Sequence, residues 1–337
     1  MSEKGEIIVQ EFTEDDRLEL IQYLWKIFRI PAEQHHWIYE TNPRGPAHVV
    51  VAREQATGRF AGSGAFFPWK FRMQDGKVAR VFQYGNVMTH PDFRRRGVFG
   101  LVTHKANQDL AEKGSLFVYS YSNDLAYPGH RKNGAITIGF IRWLSRPLNL
   151  VSLLRQFIPS LALKNVLGRL VGSARPNSDR TLSCRRVDAF DERFDQAEWP
   201  ALRGRITAER DAAYLNWKYM QRPNRDHCLY IVEDGSRLLA YAVILPGEAS
   251  WTIMDMQAVD QASLHSLLRS LMRIGTRQGI AVLSFAAMEG HPYISILQRL
   301  GFFFRRRSYP VIIYPSPAIS LPLPPAEEWL LTLGDQD

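Results

Sequence analysis

Two stretches of the chain share the spacing W-x-Y-x-x-x-P: WIYETNPRG from Trp37 and WKYMQRPNR from Trp217, an offset of 180 residues. Each leads into a pair of strand-like runs, AHVVVAREQATGRFAGSGAF in the first case and HCLYIVEDGSRLLAYAVI in the second. A helix, a strand and a glycine-ended turn follow in both, GHRKNGA early and SILQRLGFFF late. Because the order of these features repeats as well as their chemistry, the chain reads as two copies of one unit. Its 337 residues are long for a single core and sufficient for two. The expected fold class is α+β, with a mixed, mostly antiparallel twisted sheet flanked by helices in each of two domains.

Strand and helix periods alternate along the first copy. EIIVQEF alternates like a strand, and TEDDRLELIQYLWKIF predicts a helix with Thr13 as its N-cap and acidic residues in its first turn. Three strand-like runs follow, AHVVVARE, RFAGSGAFFPWKFRM and KVARVFQYGNVMTH, joined by hairpin-length turns. The period then changes at HPDFRRRGVFG. Beyond it, VFGLVTHKANQDLAEKG sets Phe99, Leu101, Val102, Ala106, Leu110 and Ala111 along a helical stripe that ends at Gly114. SLFVYSYS predicts another strand and YPGHRKNGA a short helix or turn. The expected boundaries are a first domain over 1–140, a basic amphipathic segment over 141–182, a second domain over 183–320 and a tail over 321–337.

The charge balance, 42 basic against 34 acidic residues, suits acidic small molecules, nucleic acid or an anionic membrane surface without choosing among them. From Ile141 to Ser178 the chain is apolar and basic with no acidic residue. Such a stretch can lie on a membrane, but its prolines interrupt any long helix and favour a packed interdomain arm whose cationic tails reach water. Cys184 and Cys228 are the sole cysteines and have no partners at zinc spacing, so neither a disulfide framework nor a metal site is indicated, and a reduced cytoplasm is expected. No run approaches the ~18 apolar residues of a membrane span.

The turn HPDFRRRGVFG is where chemistry concentrates. A strand ending at His90 and Pro91, a tight basic turn and a helix starting near Val98 form an arrangement for an anion. The first amides of a helix converge with its positive dipole end, and glycine removes the Cβ that would block close approach. The loop lacks the Lys-Ser/Thr pair of a Walker A loop and the G-x-G-x-x-G of a dinucleotide site.

VMTHPDFRRRGVFGLVTHKANQDLAEKG resembles the acetyl-CoA binding motif of the GNAT superfamily of N-acetyltransferases, Arg/Gln-x-x-Gly-x-Gly/Ala after a strand and a proline. Arg94, Arg95, Arg96 and Gly97 match it. Phe99 stands where the family usually has Gly or Ala, with Gly100 one residue later. NDLAYPGHRKNGA continues the likeness through Asn123, Ala126, His130 and Gly134. The second half, with RDAAYLNWKYMQRP and LGF, is similar to the C-terminal unit of tandem GNAT proteins and would be a degenerate copy.

The resemblance implies a splayed central strand pair in each domain and a coenzyme A diphosphate held by the amides of Arg95 to Gly100. Arg94, Arg95, Arg96, Gly97, Val98, Phe99, Gly100 and Asn123 would then be cofactor residues. Val87, Met88 and Thr89 would stand on the strand to which the pantetheine arm bonds. The implied reaction moves an acetyl group from acetyl-CoA to an amine acceptor by direct attack, with no metal. His130 sits where relatives place the tyrosine that protonates the leaving thiolate, and an imidazole near its ordinary pKa could do so. Asn123 would bond the coenzyme or the acceptor, with turn capping as the plainer role.

Glu40, His90, Tyr121 and Asp124 are candidate bases by position, although His90 before Pro91 suits a turn cap and Glu40 could simply be solvated. Trp37, Tyr39, Trp217 and Tyr219 read as packing aromatics, and Arg305, Arg306 and Arg307 as a solvated strand end. A tandem GNAT fold kept as a coenzyme-sensing or interaction protein is the alternative function. Nucleic-acid binding finds no helix-turn-helix to support it.

Overall fold

The computed structural model describes residues 5–149, 182–224, 226–316 and 324–336. The first half runs β1 (Ile7–Glu11), α1 (Arg17–Phe28), α2 (Ala32–Glu40), β2 (His48–Glu54), β3 (Phe60–Arg72), β4 (Val78–Thr89), α3 (Val98–Glu112), β5 (Phe117–Tyr121), α4 (Tyr127–Lys132) and β6 (Ile136–Pro147). The second half runs β7 (Cys184–Val187), α5 (Glu192–Gln196), β8 (Thr207–Ala208), α6 (Ala212–Leu215), β9 (Cys228–Asp234), β10 (Arg237–Pro246) and β11 (Ser250–Ala258). It closes with α7 (Gln261–Arg277), β12 (Val282–Met288), α8 (Ile294–Arg299) and β13 (Phe303–Pro315).

Local chemistry sets the element ends. The Asp16 carboxylate accepts from the Thr13 backbone N–H at 2.9 Å and from its hydroxyl at 3.0 Å, closing the turn that feeds α1. Asp260 caps α7 by accepting from the Ser263 N–H at 2.7 Å. Helix α3 buries Val98, Val102, Ala106 and Leu110, one residue per turn, whereas Leu101 of the predicted stripe faces solvent. That helix lies close over β3 because two glycines clear its path. A Cβ on Gly62 would come within 2.8 Å of Val98 Cγ1, and one on Gly64 within 2.9 Å of Val102 Cγ1.

Among the described residues, all the strands join one 13-stranded sheet, ordered β1-β2-β3-β4-β5-β13-β6-β12-β11-β10-β9-β7, with β8 on the side of β3. The expected pair of separate sheets is therefore a single continuous one. Its centre is built by exchange: β13, from the end of the chain, pairs antiparallel with β5 on one side and β6 on the other. Strand β6 in turn pairs antiparallel with β12. The expected boundary at residue 140 falls inside β6, and the first residues of the expected interdomain segment form the later part of that strand. Residues 150–181 of that segment lie outside the described residues.

Two parallel strand pairs occupy matching places in the two halves. β4 and β5 pair only at Phe82↔Val118 and Gln83↔Tyr119 before they part. β11 and β12 pair from Ser250↔Val282 to Ile253↔Phe285. The gap beyond the second pair is filled by the chain itself. Leu331 accepts from the Met288 N–H at 2.9 Å, and the Thr332 hydroxyl donates to the Met254 carbonyl at 3.2 Å. Asp335, further along the same segment, receives the buried Arg210 at 2.8 and 2.9 Å, while Asp255 of β11 takes Arg210 Nε at 2.8 Å. Residues 324–336 of the expected tail are thus packed against the sheet.

The repeated tryptophans meet. Trp37 and Trp217 stack with ring centroids 4.6 Å apart, and the Trp37 indole N–H donates to the Trp217 carbonyl at 3.0 Å. Both are buried, as are Tyr39 and Tyr219, in keeping with the packing role expected of all four.

Candidate active site

The parting of β4 and β5 opens a cleft of about 1390 Å³. At its root the Ser120 hydroxyl donates to the Tyr84 carbonyl at 2.9 Å. Beyond that rung, Gly85 to Thr89 line one side and Ser120 to Asn123 the other. β4 bends here because it carries an extra residue against β3. The register passes from Ser63↔Met88 to Ala65↔Gly85, and Asn86 takes a left-handed φ of 45°. The Asn86 amide donates to Tyr39 Oη at 3.1 Å, which holds the bulge.

The basic turn sits on the rim of this cleft. Gly97 adopts φ 79°, a left-handed value that suits glycine, and Arg95 adopts 61°. Among the described residues, no protein acceptor takes the backbone N–H groups of Arg95 through Gly100, and Leu101 is the first to return to the loop, bonding Gly97 O at 3.0 Å. These donors gather at the start of a 15-residue helix. Phe99 does not loosen the turn, because its ring leans onto α4, 5.0 Å from His130 edge to face, over the bare Cα of Gly129.

The structure brings Val87, Met88, Thr89, Arg94, Arg95, Gly97, Val98, Phe99, Gly100, Asn123 and His130 to one cleft. The Arg96 side chain departs from the expectation. It pairs with Glu54 at 3.0 Å, bonds the Gly5 carbonyl and lies 4.8 Å over the Phe93 ring, so it braces the loop from behind. Asn123 uses its carbonyl oxygen to cap the next turn, accepting from Leu125 N at 3.1 Å and Ala126 N at 2.8 Å.

His130 also differs from the expectation of an imidazole near its ordinary pKa. It is 2% exposed, its Nδ1 lies 2.9 Å from Tyr314 Oη, and burial pushes its pKa down to about 4. At neutral pH it is an uncharged hydrogen-bonding group.

The proposed bases are mostly engaged elsewhere. Glu40 lies outside the lining; burial would raise its pKa, but His36 and Arg17 hold it below the usual carboxylate range. Asp124 is exposed and also outside. Tyr121 lines the cleft, but its hydroxyl donates to the Thr332 carbonyl at 2.7 Å, and burial pushes its pKa well up. His90 accepts from the Asp92 N–H at 3.2 Å, the turn-capping role expected of it. Arg305, Arg306 and Arg307 are exposed at a bulge of β13, away from the cleft.

Residues 8–135, which hold the fork, the loop and the start of the following turn, match a family model described as "Acetyltransferase (GNAT) domain". This stretch is similar to a GNAT acetyltransferase domain. No curated protein matches the sequence. Solved structures with the same fold include an Enterococcus faecalis V583 protein described as a probable N-acyltransferase, at TM-score 0.68 and 12% identity, covering 92% of this chain and 72% of that one. A GCN5-related N-acetyltransferase from Anabaena variabilis follows at TM-score 0.66 and 12% identity, covering 93% and 74%. One from Kribbella flavida has TM-score 0.62 and 14% identity, covering 94% and 72%. At such identities the likeness speaks for the fold, and it spans both halves of the chain.

Several groups that line this cleft escaped the sequence reading. Tyr23, Lys26, Ile27 and Phe28 come from the end of α1, and Arg222 and Gln336 arrive from the second half. Tyr314 reaches His130 from 184 positions away. Only the amphipathic α1 could have hinted at the first group. No local pattern points to the others.

Proposed function

We propose that the protein transfers an acetyl group from acetyl-CoA to an amine, with the coenzyme held in the fork between β4 and β5. The observation that carries this reading is the row of unclaimed amides from Arg95 to Gly100 at the start of α3, beside the open edge of β4. They fit a diphosphate in number and direction, Gly97 leaves room for its oxygens, and Arg94 and Arg95 add positive charge. Val87, Met88 and Thr89 offer strand-edge groups to an extended pantetheine arm. When bound, the coenzyme supplies the acyl thioester. Main-chain donors of β4 polarise the acyl carbonyl, and the Asn123 amide nitrogen is left to bond the coenzyme or acceptor. His130 and Tyr314 fix the wall as a neutral pair. With the nearby carboxylates engaged or outside the cleft, the attacking amine gives up its proton to water.

We also read the second half as a degenerate copy of the first. The repeated Trp motif, the matching parallel strand pair and the shared strand order support this. Its fork is closed by the segment from Trp329 to Asp335, so a single coenzyme per chain is expected.

Calorimetry with acetyl-CoA tests the reading. The native protein should bind one equivalent, and Gly97→Val, which forces a branched side chain to φ 79°, should weaken binding by about a hundredfold (~3 kcal/mol). Absence of binding by the native protein at millimolar coenzyme would remove the proposal.

A further inference from the structure

The acyltransferase reading leaves the acceptor open, and the cleft lining narrows it. The wall supplied by α1, α2 and the end of β4 presents Tyr23, Ile27, Phe28, Ile30, Ile38 and Met88. Ile27 and Phe28 are 43% and 39% exposed, although both belong to a regular helix with a buried face available. Apolar surface left in water costs about 25 cal/mol per Å². Its concentration at the mouth of a cleft is the pattern of a surface that a ligand covers.

Charge gives a second, independent indication. Among the described residues, Asp92 is the one carboxylate in the lining, and it is already paired with Arg59 at 2.6 Å. Lys26, Arg94, Arg95, Lys132 and Arg222 also line the cleft. A diphosphate would offset Arg94 and Arg95 at the loop, but Lys26 and Lys132 belong to other elements. An acceptor with several ammonium groups would meet like charge there. A sugar would find few side-chain donors and acceptors along α1 and α2, where Tyr23 and Gln34 are the polar uncharged members of the lining.

We infer that the acceptor is a monoamine on an apolar, aromatic-sized body, and that the α1–α2 wall is its specificity pocket. The inference rests on the acyltransferase reading above. The reactive nitrogen would be the acceptor's single basic group, neutral when it attacks, so the cationic lining repels the bound amine only while that nitrogen remains protonated. The acyl–sulfur bond breaks as the acyl–nitrogen bond forms, and the proton lost by the amine passes through water to the leaving thiolate, which departs as the thiol.

The experiment has two stages, so that its failures can be told apart. Acetyl-CoA binding is measured first by calorimetry, because a protein that does not bind it removes the acyltransferase reading and this inference together. Thiol release from acetyl-CoA is then followed with phenylethylamine, tryptamine, spermidine and glucosamine. The two aromatic monoamines should exceed the other two in kcat/KM by about tenfold or more. Ile27→Asp and Phe28→Asp, at exposed positions that leave the core intact, should each raise KM for phenylethylamine about tenfold while leaving the acetyl-CoA Kd unchanged. Coenzyme binding with spermidine or glucosamine preferred, with no aromatic amine consumed, or with KM unmoved by both variants would overturn the pocket while sparing the coenzyme site.

Discussion

At Arg96 the guanidinium is committed to Glu54 and Gly5, while its neighbours Arg94 and Arg95 line the cleft. Three adjacent arginines therefore predict different phenotypes. Arg96→Ala should lower the unfolding temperature and leave acetyl-CoA affinity within about twofold, whereas Arg95→Ala should weaken the coenzyme about tenfold with little thermal effect. Calorimetry and thermal melts of the two variants separate these outcomes. His130 gives a pH signature. Its folded pKa of about 4 lies below the ordinary 6.5, so between those values the unfolded chain takes up a proton that the fold refuses. Stability should fall as pH drops from about 6.5 to about 4, by up to about 3 kcal/mol, and this contribution should flatten below. His291, held down to about 3 by burial and the nearby Arg210 and Arg205, adds a slope of the same sign. His130→Gln should therefore reduce the pH dependence of the melting temperature without abolishing it.

Elements of the first half were legible because their periods differ sharply. The switch from two-residue alternation to a helical stripe at the arginines marks the start of α3, and Gly97 and Gly114 mark its ends through their left-handed φ. The bulge at Asn86 was not legible, since an extra residue in a strand leaves the local alternation almost unchanged while redirecting the backbone. The contact of His130 with Tyr314 was equally hidden, because it depends on which strand fills the centre of the sheet. The Trp repeat was visible, but not that its members stack on each other. That contact joins the two halves, so Trp37→Ala should destabilise the whole chain by about 3–5 kcal/mol in denaturant unfolding, through the lost ring packing and the indole bond to Trp217.

Across the whole molecule, the recurring order of motifs was readable and the exchange of strands was not. Local sequence says that β6 and β13 are strands, while their placement is decided by non-local pairing. Because β13 stands between β5 and β6, a fragment of residues 1–149 lacks the centre of its own sheet. It should be insoluble when produced alone and soluble when co-produced with residues 150–337, as judged by co-purification. The same arrangement bears on how the chain is born. During synthesis β5 and β6 emerge long before β13, so both present bare backbone edges while well over a hundred further residues are translated. The cleft beside β5 therefore gains its neighbouring strand only after β13 has been made.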